Sequence, residues 1–324
     1  MNRRELLAAS AAFPGAAWLA SCAANPSGTG SPSAAAPPLP PPRDDEGWWR
    51  QVRRQFLIAD GVFMNTGTFG ASPRPVVDAT VAHLTAFETV FHQLPLDGPR
   101  LFKSLGTVLG VPGENLAITR NTTEGMNVVA RGLDLNAGDG IVTTTHEHVG
   151  GLCCWQLVAK RYGLTLTQFA PPLDPASEDD LVDAWVAAST PRTRVWSIAH
   201  VLFSTGMIQP VKRLCAEAKR RGIITVIDGA HPPGMLQLDL TDLGCDFYAS
   251  SPHKWLLAPK GTGFLYLSPE WIDRLWPLVA SGGWDDLPIK GSRFDHVGTR
   301  NDSLVYGLQA ARDFHDQIGA ERIE

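Results

Sequence analysis

Ser251-Pro252-His253-Lys254-Trp255 stands between an apolar run, Phe247 to Ser250, and the glycine-rich stretch Lys260-Gly261-Thr262-Gly263. A second apolar run, Ile223 to Asp228, ends on a carboxylate in Val226-Ile227-Asp228-Gly229-Ala230-His231. Short runs of this kind, rich in β-branched residues and closed by turn residues, read as strands buried on both faces. Leu116 to Thr119, Gly140 to Thr145, Leu164 to Phe169, Arg194 to Ala199 and Gly263 to Leu267 read the same way. Helical patterns such as Val211 to Arg221 lie between several of them, which implies right-handed crossovers. The expectation is an α/β fold with a mostly parallel seven-stranded sheet. Ligands of such sheets bind outside the carboxyl ends of the strands, and Thr122, His148, Asp228 and Lys254 all fall at such ends.

A lysine and an aspartate so placed suit pyridoxal 5′-phosphate. The amine forms a Schiff base with the cofactor aldehyde, and the carboxylate keeps the pyridine nitrogen protonated so that the ring accepts electrons. Either residue alone reads more simply as a surface lysine or a helix-capping aspartate. A phosphate needs donors at a helix N-terminus, and Arg120-Asn121-Thr122-Thr123-Glu124-Gly125 follows a strand and opens a helical run. Thr122 and Thr123 are suitable there, with Ser251 and His253 beside the lysine; simple N-capping is the alternative for the threonines. A side chain stacking on the cofactor ring is expected at another strand end, and His148 of His146-Glu147-His148 is the choice. That spacing is not His-Glu-x-x-His, so no metal is expected.

The chain has 324 residues, 44% hydrophobic and 19% charged, with a net charge of −5. Such a composition supports a folded domain and gives no electrostatic case for nucleic acid, leaving a small molecule as the expected partner. Arg3-Arg4 ahead of the apolar Leu6 to Ala20 has the layout of a twin-arginine secretion signal, and Leu19-Ala20-Ser21-Cys22 that of a lipobox. Residues 1–22 thus read as signal and 23–45 as a linker rich in proline, serine, glycine and alanine. Residues 46–295 read as the cofactor-binding large domain and 296–324 as the start of a small domain. The protein is expected to be exported by the twin-arginine route, and to be periplasmic or held at the membrane only through a lipid on Cys22. Trp48 to Phe56 reads as an amphipathic helix and Gly61 to Gly70 as a turn region. Cys153, Cys154, Cys215 and Cys245 lack metal spacing and read as buried apolar residues.

Several motifs then occur in order. They are Ala199-His200-Val201 through Thr205-Gly206 and Pro210-Val211, Asp228-Gly229-Ala230-His231-Pro232-Pro233-Gly234, Asp246-Phe247-Tyr248, His253-Lys254-Trp255 and Ala258 to Phe264. Together they resemble the class V aminotransferase family of the pyridoxal phosphate fold type I group, and within it the isopenicillin N epimerase-like proteins. The resemblance runs from about Phe63 to Ser303. It implies that Lys254 is the Schiff-base lysine, Asp228 the pyridinium partner and His148 the ring-stacking residue. It further implies that Thr123, Ser251 and His253 hold the phosphate, with Thr122 and His231 among the cofactor contacts. Gly298-Thr299 is similar to a turn that reaches the phosphate of a neighbouring subunit, implying a homodimer with shared sites, and Asn65 to a segment near the substrate entrance. Two features depart from the family. His148 stands where epimerase-like members often have tyrosine, which is nearer the desulfurase-like branch. The sequence also stops at Glu324 inside a helical pattern beginning near Ser303, so the C-terminal small domain, with its substrate-gripping arginine and the mobile cysteine of desulfurases, is expected to be largely absent. The implied activity is Cα proton transfer on an amino acid or amine, as in an epimerase or aminotransferase. The alternatives are a lyase or desulfurase, or an exported lipoprotein that holds the cofactor without turnover.

Overall fold

The computed structural model describes residues 39–43, 45–58, 61–90 and 98–324. The twin-arginine motif, Cys22 and most of the 23–45 linker lie outside the described residues. The strands are β1 (Leu116–Thr119), β2 (Gly140–Thr144), β3 (Thr165–Phe169), β4 (Thr193–Ala199), β5 (Ile224–Asp228), β6 (Phe247–Ser250) and β7 (Gly263–Leu267), each within one residue of its run in the sequence. They form one seven-stranded sheet in the order β1-β7-β6-β5-β4-β2-β3. All pairings from β6 through to β3 are parallel, whereas β7 is antiparallel to both β6 and β1. The reason is the link Ser251 to Thr262, which contains no helix to carry the chain back across the sheet, so β7 returns in the opposite sense.

The helices are α1 (Glu46–Arg54), α2 (Arg74–Val90), α3 (Gly98–Leu109), α4 (Thr122–Gly132), α5 (Val149–Tyr162), α6 (Glu178–Ala187), α7 (Val211–Arg220), α8 (Leu240–Leu243) and α9 (Ser303–Ile318). Successive strand residues face opposite sides, and each side has its own core. Trp196, Ile198, Ile227, Tyr248 and Phe264 pack with Leu105 of α3, Trp185 of α6, Leu214 of α7 and Leu308 of α9. On the other side Ile141, Val195, Val226, Phe247 and Leu265 pack with Met126 and Val129 of α4 and Trp155 and Val158 of α5. The central strands are buried on both faces as expected, but β3 is not. It is an edge strand whose Thr165 and Gln168 are exposed, and its polar residues suit the side that no strand covers.

The helix expected from Trp48 to Phe56 begins and ends two residues earlier. Asp45 starts it by accepting the Trp48 N–H on its side chain, and Phe56 leaves it to bridge Pro73. Trp48 and Val52 then bury against Phe314 and Ile318 of α9, with Leu39 beside them. Of the cysteines expected inside, Cys154, Cys215 and Cys245 are buried, but Cys153 lies on the outer side of α5 and is exposed.

Candidate active site

Strands β5 and β6 pair with Asp228 opposite Ala249, so the chain leaving β6 at Ser251 turns directly past the Asp228 carboxyl. That turn is tight. Lys254 N–H donates to the Ser251 carbonyl at 2.9 Å and Ala258 N–H to the Pro252 carbonyl at 3.1 Å, with Leu257 driven to φ 61°. A leucine in the left-handed region stores strain of the kind that gathers at functional sites.

Lys254 Nζ lies 3.2 Å from Nε2 of His231, and the Trp255 indole N–H donates to His231 Nδ1 at 3.1 Å. Burial lowers the Lys254 pKa against the attraction of Asp228. Asp228 is itself buried, and desolvation raises its pKa; the Ala230 N–H, which it accepts at 3.0 Å, and the charges of Lys254 and His148 oppose the rise. Burial and the Lys254 charge push His231 down to about 4.

His148 caps α5, its Nδ1 accepting the Gly150 N–H at 3.1 Å, and meets the ring of Phe203 edge-on at 5.2 Å. The α5 N-terminus reaches the site because of two glycines. A Cβ on Gly151 would stand 2.4 Å from Asp228 Oδ2, and one on Gly150 would stand 2.5 Å from Thr123 Oγ1. From the other side, Asn121 caps α4, and the Thr122 N–H donates to Ser251 Oγ at 2.9 Å while the two hydroxyls meet at 2.8 Å. His253 Nδ1–H donates to the Thr262 carbonyl at 2.8 Å, which leaves Nε2 as its nitrogen for a ligand.

The sequence-predicted residues Lys254, Asp228, His231, His148, Thr122, Thr123, Ser251 and His253 therefore share one end of the sheet. Asn65 is exposed and bonds Thr68, but its segment leans on the lysine turn: the Gly70 N–H donates to the His253 carbonyl at 2.7 Å. Thr299 is exposed on the loop after Gly298 and makes no hydrogen bond to this cluster. Sequence reasoning missed Glu147, whose buried carboxyl is pushed up to about 8 by desolvation and the charge of Asp228, while Thr144 Oγ1 donates to it at 2.9 Å. The signal was an acid flanked by two histidines at the end of β2. It also missed the Trp255 indole contact. Among the described residues no group of three His, Cys, Asp or Glu side chains could hold a metal ion.

The family model of class V aminotransferases matches residues 103–324. The chain belongs to that family. Isopenicillin N epimerase of Streptomyces clavuligerus is 38% identical over 283 residues, 85% of this chain and 67% of the relative. That of Amycolatopsis lactamdurans is 40% identical over 299 residues, covering 85% and 74%. A probable cysteine desulfurase of Xylella fastidiosa is 29% identical over 301 residues, covering 85% and 71%. Among solved structures, a C-DES variant with glycine covalently linked to its PLP cofactor superposes with a TM-score of 0.73 at 27% identity, covering 84% of this chain and 76% of that one. A cysteine desulfurase from Escherichia coli gives 0.73 at 26% identity, covering 84% and 73%.

The cofactor of this class V chain is pyridoxal 5′-phosphate. The donor set suits it. A lysine amine lowered toward its free form meets the need for an aldehyde partner, a buried acid beside it can face a ring nitrogen, and the α4 N-terminus with Ser251 offers N–H and hydroxyl groups for a phosphate. At Gly150 and Gly151 the α5 backbone comes up against Thr123 and Asp228, a close approach that a side chain would disturb.

Proposed function

We propose that this protein moves the Cα proton of an amino acid or amine, as an epimerase or aminotransferase, with Lys254 as the base. The observation that carries this is the Lys254 amine, lowered in basicity and set beside buried Asp228 at adjacent strand ends. When bound, the cofactor supplies an aldehyde for that amine and a ring that takes up the electron pair left at Cα. Asp228 would hold a proton at the ring nitrogen. Thr122, Thr123, Ser251 and His253 orient the phosphate end, and His148 covers one ring face. Lys254 Nζ then removes the proton at Cα and returns it. Epimerisation would need a proton delivered to Cα from the face opposite Lys254, whereas transamination would need Lys254 to hand the proton to the cofactor instead of Cα.

The test is direct. The purified protein should take up pyridoxal 5′-phosphate with a visible absorbance band that Lys254→Ala lacks, and should exchange the α-hydrogen of an amino acid for deuterium. A protein that stays colourless with added cofactor sinks the proposal. The histidine at 148 and the desulfurase relatives favour a second reading, a lyase or desulfurase, which sulfide release from cysteine would reveal. In the same reading the protein is exported, supported by Arg3-Arg4 ahead of Leu6 to Ala20. Replacing both arginines by lysine should then keep it in the cytoplasm.

A further inference from the structure

The His231 ring lies between two nitrogens. The Trp255 indole Nε1 is 3.1 Å from Nδ1, and Lys254 Nζ is 3.2 Å from Nε2. An indole N–H only donates, so Nδ1 must present its lone pair. A neutral imidazole then carries its single proton on Nε2, where it points at Lys254. An ammonium has three N–H donors and no lone pair, so it cannot accept that proton. Both contacts close together only when Nζ is an unprotonated amine. We infer that Trp255, acting through His231, is a positioning residue that holds Lys254 as the free base, the state in which it can take a Cα proton; this rests on the function proposed above.

The surroundings agree. Burial, the largest cause, pushes His231 down to about 4, so its ring is neutral above that pH. Around the amine stand Asp228 at the end of β5, His148 at the start of α5, His253 in the same turn and His231 itself. Of these only Asp228 favours the ammonium, and burial outweighs it. The segment after Asn65 adds no charge, and presents Gly67, whose Cβ would come within 3.4 Å of His231 Cε1. Trp255 is anchored from a separate element, since His315 of α9 hydrogen-bonds its backbone. Without the indole, the His231 proton can move to Nδ1, and Nε2 can accept from a charged lysine. A charge-assisted bond of that kind stabilises the ammonium.

The full chain, freed of cofactor, is acetylated with acetic anhydride across a pH series, and modification of Lys254 is read by peptide mass spectrometry. In Trp255→Phe the midpoint should rise by about one pH unit, close to a tenfold loss of labelling at a pH below both midpoints. His231→Gln should keep the original midpoint, because its amide oxygen can accept from the indole while its NH2 donates to Nζ. Histidine nitrogen NMR of the unsubstituted protein should place the His231 proton on Nε2, a reading that needs no variant to fold. An unmoved midpoint in Trp255→Phe, or a proton on Nδ1, overturns the inference. Absence of a Lys254-dependent visible band with added pyridoxal 5′-phosphate overturns the proposed function instead, and leaves both nitrogen readouts standing.

Discussion

Asp228 and Glu147 are two buried acids on neighbouring elements with different consequences. An amide at 228 keeps the volume and can still accept the Ala230 N–H, but carries no charge to hold a proton on a ring nitrogen. Asp228→Asn should therefore retain cofactor colour while α-deuterium exchange falls by on the order of 10²-fold or more; an unchanged exchange rate, followed by NMR, would contradict the charge role. Glu147 bears on stability. Its folded value of about 8 lies above the ordinary carboxyl value, so the fold favours its protonated form. That stabilisation is fully present below the unfolded value and is lost as pH rises through about 8. Glu147→Gln stays neutral throughout, so its stability advantage over the parent protein should grow between those limits, by at most about 1.4 kcal/mol per pH unit. Urea melts at several pH values check this, and a flat difference would show that Glu147 is charged in the fold. At this scale Asp228 was legible because it closes an apolar run, and Lys254 because it closely follows another. Glu147 offered only its flanking histidines as a signal and the Trp255–His231 contact none, because burial and a side-chain meeting across a turn do not show in spacing.

The elements were legible where hydrophobic periodicity decides them. The central strands appear in the sequence because strands buried on both faces of a sheet are continuous apolar runs. The reversed sense of β7 and the exposure of β3 follow from what connects and neighbours each strand, and a run of residues carries neither. Glycines were legible only as turn residues, yet two of them set how elements meet at the site. A Cβ on Gly70 would lie 2.0 Å from the Lys254 carbonyl oxygen, whereas one on Gly151 would lie 2.4 Å from the end of the Asp228 side chain. Backbone cannot yield as a carboxylate can. Gly70→Ala should therefore cost about 1–3 kcal/mol of stability in thermal or urea melts. Gly151→Ala should melt nearer the parent protein and instead lose cofactor affinity, measured by titrating the visible band. Equal melting of the two variants would mean that the segment after Asn65 does not press on the lysine turn.

At the scale of the whole molecule, the ordered motifs identified the family because most of them gather at the end of the sheet that carries Lys254, while Asp246-Phe247-Tyr248 opens β6 at the other end. What a single chain holds less plainly is the purpose of Thr299. It is exposed and makes no bond to that cluster, and Val297, two residues before it, is exposed as well. The family resemblance implies a homodimer in which Thr299 serves the partner's phosphate, and we propose that its exposed position has that purpose. This has a consequence that one chain alone cannot produce. Lys254→Ala and Thr299→Ala should each lower cofactor binding when every subunit carries the change. When the two variants are dissociated, mixed and reassociated, each mixed dimer has one site built from an intact lysine and an intact threonine, and one site lacking both. Absorbance titration of the mixture should therefore recover tight sites that neither parent variant has. If mixing restores none while sedimentation shows that mixed dimers form, Thr299 acts within its own chain or not at all.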